Sequence, residues 1–206
     1  MADVPPDVTV RFILASKSPA RLAVLRRAGL DPEVIVSGFD ERQVRDTVPT
    51  RLAARLAEFK GIAVLPQLEG DFVLLACDSV LEFEGRAHGK PGSKEAAIER
   101  WRRMRGREGL LHTGHFVAVR QGGEETRFTR VGSTVVRFAD LSDDEIEAYA
   151  ATGEPQRVAG GFTIDGRGGA YVTAVEGDPY NVVGVSLPLF RQMVIDAGVP
   201  WQALWR

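Results

Sequence analysis

The sequence predicts a mixed α/β fold, a single sheet with parallel and antiparallel pairs flanked by helices. Three observations carry this. Helical and strand patterns mix along the 206 residues without strict alternation, which disfavours a doubly wound order. Phe72 to Cys77 is an uninterrupted apolar run, the pattern of a central buried strand. His112 to Val119 and Thr126 to Phe138 have strand character on either side of Gln121-Gly122-Gly123, a hairpin-turn composition. The length suits one domain over residues 1–206, with residues 1–9 expected as a loose tail.

The elements follow in order. Arg11 to Ala15 reads as a short buried strand. Ser18 then caps a helix with Pro19 at its first position, running through Leu22, Leu25 and Arg26 towards Gly29. Glu33 to Val36 looks like a second strand. Leu52, Leu56, Phe59 and Ala63 recur at helical spacing after Thr50. Beyond Asp78, strand character resumes from Val80 to Phe83 and turns at Glu84-Gly85. Ser93 caps a helix carrying Ala97, Trp101 and Met104 on one side. Ser142 and Glu145 form a capping-box pattern, and Gly153 closes that helix. Ala159 to Gly169 is glycine-rich, Tyr171 to Val175 reads as a strand, and Leu187 to Ala197 as a closing helix.

Composition narrows the function classes. With 26 Lys plus Arg against 28 Asp plus Glu, the net charge of −2 gives no global attraction to nucleic acid or an anionic membrane. A phosphate ligand would need local groups. Cys77 is the only cysteine, so an intrachain disulfide and a thiolate zinc site are excluded. The start, Met-Ala-Asp-Val-Pro-Pro, lacks a basic and an apolar stretch, and no apolar run reaches bilayer length. A cytoplasmic protein is expected.

Several residues could carry chemistry. Ser16-Lys17-Ser18-Pro19-Ala20-Arg21 follows a strand and opens a helix, where unpaired N–H groups and a partial positive charge suit phosphate. The same residues also fit a plain helix cap with solvated cations. Asp78 follows the apolar run, placing a carboxylate where a buried strand ends, the usual ligand edge of α/β sheets. There it can bind a divalent cation or accept a proton from water; it also fits a simple turn cap. Lys60, at the border of a buried helical face, and Lys90, between Gly89 and Pro91, could each reach a phosphate or be ordinary surface lysines. Asp40-Glu41 is a loop acid pair with the same two readings.

Other motifs are missing. There is no Gly-x-x-x-x-Gly-Lys-[Ser/Thr] loop and no Gly-x-Ser-x-Gly elbow. His88, His112 and His115 lack zincin spacing, and the last two read as packing or surface residues. The arginines at 100, 102, 103, 105 and 107 read as a solvated helix face.

Taken in register, these pieces resemble the Maf family of nucleoside triphosphate pyrophosphatases, once described as septum-formation inhibitors. The resemblance runs from Phe12 to about Gly198. It rests on Leu14-Ala15-Ser16-Lys17-Ser18-Pro19-Ala20-Arg21, Asp40-Glu41, Leu56-Ala57-Glu58-Phe59-Lys60, Ala76-Cys77-Asp78-Ser79-Val80 and Gly89-Lys90-Pro91. Thr113-Gly114, Gly153-Glu154-Pro155, Ala159-Gly160-Gly161 and Glu176-Gly177-Asp178-Pro179-Tyr180-Asn181-Val182-Val183-Gly184 complete it.

The resemblance implies a fold like that of the inosine triphosphate pyrophosphatases, two lobes around a nucleotide cleft. It implies hydrolysis of a nucleoside triphosphate to the monophosphate and pyrophosphate, extending to non-canonical nucleotides and linked to cell-division arrest. Ser16, Ser18, Arg21, Lys60 and Lys90 would line the triphosphate site, Asp78 would be the proton acceptor, and Glu41 with Asp78 would hold a divalent cation, Mg²⁺ or Mn²⁺. A homodimer is the expected assembly. The alternatives are a non-catalytic nucleotide-binding regulator of septum formation, or a cleaver of inosine or xanthosine triphosphate.

Three departures stand out. The family's Ser-Pro-Arg-Arg has Ala20 for its first arginine, Ala-Asp-Thr becomes Cys77-Asp78-Ser79, and a common glutamine is Asp165. In the branch preferring thymidine and uridine triphosphates these positions are associated with substrate choice. That preference is therefore not transferred, while Ser79 and Asp165 stay in the expected substrate site.

Overall fold

The structure, a computed structural model, describes residues 10–206; the expected loose tail over residues 1–9 lies outside them. The first strand, β1 (Arg11–Leu14), leads to α1 (Pro19–Arg27), where the Ser18 hydroxyl accepts from the Arg21 N–H at 3.4 Å. β2 (Glu33–Val34) is shorter than the expected Glu33 to Val36. It is an exposed edge strand that pairs only with the last two residues of β1, where its partner stops. α2 (Pro49–Val64) buries Ala53, Leu56, Ala57, Gly61 and Val64 along one face.

β3 (Phe72–Phe83) corrects one expectation: the strand does not end at Asp78. The polar pair Asp78-Ser79 interrupts the apolar run but not the pairing, because β5 (Glu108–Gln121) runs alongside from Phe72 to Glu82. Asp78 therefore sits mid-strand. β4 (Arg86–His88) folds back on β3, and α3 (Lys94–Met104) starts at Ser93, whose hydroxyl accepts from the Ala96 N–H at 3.1 Å. β5 and β6 (Glu124–Phe138) form the anticipated hairpin, longer at its start than the sequence suggested. Its two loop residues, Gly122 and Gly123, have φ of 57° and 90°, the left-handed pair that a tight hairpin turn demands.

α4 (Asp143–Ala151) carries the capping box, with Ser142 and Glu145 satisfying each other's N–H groups. β7 (Val172–Glu176), α5 (Pro179–Val183) and α6 (Leu187–Asp196) complete the chain's regular elements. The sheet order is β2-β1-β3-β5-β6-β7, with β4 also on β3. Pairs among β2, β1 and β3 are parallel and the rest antiparallel, the mixed sheet that the patterning implied.

Alternation along β3 sorts the packing. Phe72, Leu74 and Ala76 join Ile13, Phe116 and Ala118 beneath α2. Val73, Leu75 and Cys77 face the other way, against Val24 and Leu25 of α1 and Phe190, Met193 and Val194 of α6. Leu81 and Phe83 lie on that same second face but join a separate core with Trp101, Met104, Ile146 and Tyr149 from α3 and α4. Ser79 falls between these two cores.

The edge of β3 opposite β5 is what opens the site. β1 occupies it from Phe72 to Leu75, and β4 from Leu81 to Phe83. Among the described residues, no strand pairs with Ala76 to Val80 on that edge. The chain leaving β1 and the start of α1 border this gap.

Candidate active site

A cavity of about 560 Å³ opens at the gap, a volume within the range of small-ligand sites. Ser16, Ser18, Arg21, Glu41, Lys60, Asp78, Ser79, Lys90 and Asp165 all line it, together with Lys17 and Ala20. Residues from six separate stretches of chain are thus brought to one space.

The centre of the site is a lysine between two carboxylates. Because β3 sends Asp78 towards the α2 face, the Lys60 ammonium meets it directly in an ion pair. The same Nζ lies 2.8 Å from Glu41 Oε1. Asp78 and Lys60 side chains are each 12% exposed, so the pair is shielded while remaining reachable from the cavity. Glu41 lies on a short turn, Glu41–Gln43, capped by Asp40. Burial works to raise the Glu41 pKa, but the hydrogen bond from Lys60 and the charges of Lys60, Lys90 and Lys17 outweigh it. The carboxyl is held below its usual range, ionised at neutral pH. Asp78 Oδ2 has no hydrogen-bond partner among the described residues, leaving an acceptor for water or a cation.

Arg21 behaves differently from the expectation of a phosphate-facing cation. Its guanidinium donates from Nε to the Gly184 carbonyl at 2.7 Å, from Nη1 to Ser16 Oγ at 3.4 Å and from Nη2 to Ser79 Oγ at 3.1 Å. A relay continues behind it. Thr113 donates its hydroxyl to the Asn181 carbonyl at 2.8 Å, so the 2.9 Å contact between Ser79 and Thr113 has Ser79 as donor. Arg21 thereby ties α1, β3, β5 and the end of α5 together around the cavity.

Ser16 Oγ also accepts from the Ser18 N–H at 3.1 Å, which shapes the turn into α1. His112 and His115 are both buried, packing residues as one of their two readings held. The arginine cluster is less free than a solvated face: Arg103 and Arg107 pair with Glu84, Arg102 and Arg105 with Asp143, and Arg100 donates to the Gly89 carbonyl at 2.5 Å.

Some lining residues had no chemical signal in the sequence. Arg157 borders the cavity and donates from Nε to the Gly153 carbonyl at 3.0 Å, with no carboxylate partner among the described residues. A lone arginine in a loop is indistinguishable from a surface one without the fold. Phe39, Phe162, Thr163, Val182 and Val183 supply the apolar and neutral lining. Cys77, next to Asp78, is fully buried; burial pushes its thiol up to about 12, so it is inert.

The donor set for a cation is limited. Among the described residues there is no group of three or more His, Cys, Asp or Glu that could hold a metal ion. The two carboxylates that share Lys60, Glu41 and Asp78, suit a hard divalent cation that takes its remaining oxygens from a phosphate.

Known proteins match this chain closely. The model of the family described as Maf-like protein matches residues 11–197. A Cutibacterium acnes protein named nucleoside triphosphate pyrophosphatase is 52% identical, over 96% of each chain. A Streptomyces coelicolor protein of the same name is 49% identical, over 97% of each. Among solved structures, a HAM1 protein from Coxiella burnetii resembles this one with a TM-score of 0.50 and 14% identity, over 91% of this chain and 99% of that one. That last likeness concerns the fold alone.

Proposed function

The chain belongs to the family of Maf-like proteins, and we propose that it hydrolyses nucleoside triphosphates between the α- and β-phosphates, a reading supported by relatives named nucleoside triphosphate pyrophosphatase. The products are a nucleoside monophosphate and pyrophosphate. The observation that carries this reading is Lys60 bridging Glu41 and Asp78 at the wall of a cavity that Lys17, Lys90 and Arg157 also line. Such a space combines cations for a polyphosphate with a carboxylate for a water molecule.

The reaction follows from these groups. A water oxygen attacks the α-phosphorus while Asp78 accepts its proton; the bond from that phosphorus to the α–β bridging oxygen breaks and pyrophosphate departs. Lys60 orients the Asp78 carboxylate, and Lys60 and Lys90 stabilise charge on the leaving group. Glu41 and Asp78 would hold a divalent cation, Mg²⁺ or Mn²⁺, whose chemistry is to neutralise phosphate charge and polarise its oxygens. Arg21 acts from behind, by fixing Ser16 and Ser79. Ala20, Ser79 and Asp165 all line the cavity, so the base preference of the thymidine and uridine branch is not carried over to this chain.

We place the enzyme in the cytoplasm as a homodimer acting on free nucleotides. No helix among the described residues is long and apolar enough to cross a membrane, and the net charge of −2 gives no general hold on nucleic acid.

A panel of canonical, deaminated and methylated triphosphates with Mn²⁺, read for pyrophosphate, tests the function. Release of orthophosphate alone, or nucleotide binding without hydrolysis across the panel, overturns it. Asp78→Asn should slow release by about 10²–10⁴-fold. Near-wild-type release from that variant removes Asp78 from the mechanism.

A further inference from the structure

One wall of the cavity is built around a carboxylate that does not itself line it. Glu154 stands after α4, beside the turn that carries Thr163, Ile164 and Asp165 into the site. Its Oε1 accepts from the Tyr149 hydroxyl at 2.8 Å, the Thr163 hydroxyl at 2.6 Å and the Gly168 N–H at 2.9 Å. Its Oε2 accepts from the Arg167 N–H at 3.1 Å. Four donors on one carboxylate, two of them backbone groups at the far end of the turn, pin both ends of residues 163–168.

The wrapping is close. A Cβ at Gly166 would lie 2.9 Å from Glu154 Oε2, and one at Gly168 would lie 2.4 Å from the Tyr149 hydroxyl. The turn therefore has no room to slide while the carboxylate stays in place. Burial works against the charge on Glu154, yet the hydrogen bonds from Thr163, Gly168, Tyr149 and Arg167 hold its carboxyl below the usual range. It is a fixed anion at neutral pH, and a neutral side chain could not satisfy four donors.

We propose that Glu154 is a positioning residue that sets the nucleoside-facing wall of the cavity and so governs which base is accepted. This rests on the pyrophosphatase reading. The wall has Phe162, Thr163, Ile164 and Asp165 in sequence, apolar groups and one carboxylate, with the Thr163 hydroxyl committed to Glu154 behind them. Those groups suit a base and sugar, whereas the ammonium groups of Lys17, Lys60 and Lys90 suit phosphates. Fixing the wall acts on substrate binding and on discrimination, and leaves the hydrolytic groups on β3 and α2 untouched.

The experiment compares wild type, Glu154→Gln and Tyr149→Phe across the triphosphate panel, with KM, kcat and thermal unfolding measured for each. Glu154→Gln should raise KM about tenfold, keep kcat within about threefold, and narrow the spread of kcat/KM between bases, the scale of losing charge-assisted hydrogen bonds. Tyr149→Phe removes one donor while leaving the ring in the core, and should move KM and the spread in the same direction by less. An unchanged KM and spread in Glu154→Gln, or a fall in kcat alone, overturns the proposal. If Glu154→Gln does not fold, Tyr149→Phe decides by the same two readouts. Wild type that releases no pyrophosphate from any triphosphate overturns the activity itself, a separate outcome.

Discussion

Arg21 and Gly184 are 163 residues apart in sequence, and the Arg21 Nε donates to the Gly184 carbonyl at 2.7 Å. The same guanidinium reaches Ser79 and Ser16, so three acceptors from three elements depend on one planar fork. Lysine offers a point charge and cannot span them. Arg21→Lys should lower unfolding stability by about 1–3 kcal/mol, the scale of two lost hydrogen bonds, and raise KM with it. Urea unfolding and pyrophosphate release check this; a variant unchanged in both would deny Arg21 its bracing role.

Gly114 lies opposite Asp78 in the β3–β5 register, and a Cβ there would come within 2.2 Å of the Ala53 carbonyl of α2. The bare backbone lets α2 approach the sheet, which is what delivers Lys60 to Asp78. Gly114→Ala should cost about 3 kcal/mol or more, since backbone rather than a movable side chain must yield, and should reduce kcat. Gly89 has nothing within 4 Å of its Cβ position, so Gly89→Ala should stay within about 0.5 kcal/mol of wild type. Denaturation midpoints of the two variants make the comparison.

His115 gives the fold a pH limit. Its Nδ1 donates to the Thr113 carbonyl at 2.9 Å and its Nε2 accepts the Ser186 N–H at 2.8 Å, an arrangement only the neutral ring can hold. Burial, helped by the Arg21 charge and opposed by the Thr113 carbonyl, lowers its pKa to about 4. The unfolded chain therefore binds a proton first. Stability is complete above the unfolded value of about 6.5 and is lost progressively as pH falls towards 4, by about 3 kcal/mol in all. His88, lowered by burial and the Arg100 charge, acts in the same direction. His115→Gln should flatten the profile between pH 6.5 and about 5, above the range where carboxylates protonate. An equally steep profile in that variant would assign the loss elsewhere.

Chelation should separate turnover from folding. With no cluster of three candidate ligands among the described residues, the proposed cation would depend on Glu41, Asp78 and the substrate's phosphates. EDTA should abolish pyrophosphate release while shifting the melting temperature by less than about 2 °C. Glu41→Gln should raise the Mn²⁺ concentration for half-maximal rate roughly tenfold or more. A large loss of thermal stability on chelation would indicate a structural metal instead.

Local chemistry was legible in advance. Ser18-Pro19, the Ser142–Glu145 box and Gly122-Gly123 act over three or four residues, so their helix starts and turn needed no tertiary context. Asp78 stands out in the sequence because it follows six apolar residues, where a buried strand reads as ending at the usual ligand edge of an α/β sheet. The strand in fact runs on past it to Phe83. The length of β3 depends on β5, more than thirty residues later, and no local pattern reports that partner.

The sequence by itself determined the element types, the mixed sheet and the residues worth suspecting, because propensity, capping and periodicity are short-range and written into neighbouring side chains; the family rested on the resemblance of its motifs taken in register. Only the tertiary structure decided that Lys60 sits on Asp78 and Glu41, that Arg21 turns inward to Gly184 and Ser79, and that Glu154 gathers the turn at residues 163–168. Each of those contacts depends on which strand lacks a neighbour and which helix covers which face. That is settled by the packing of the whole chain at once.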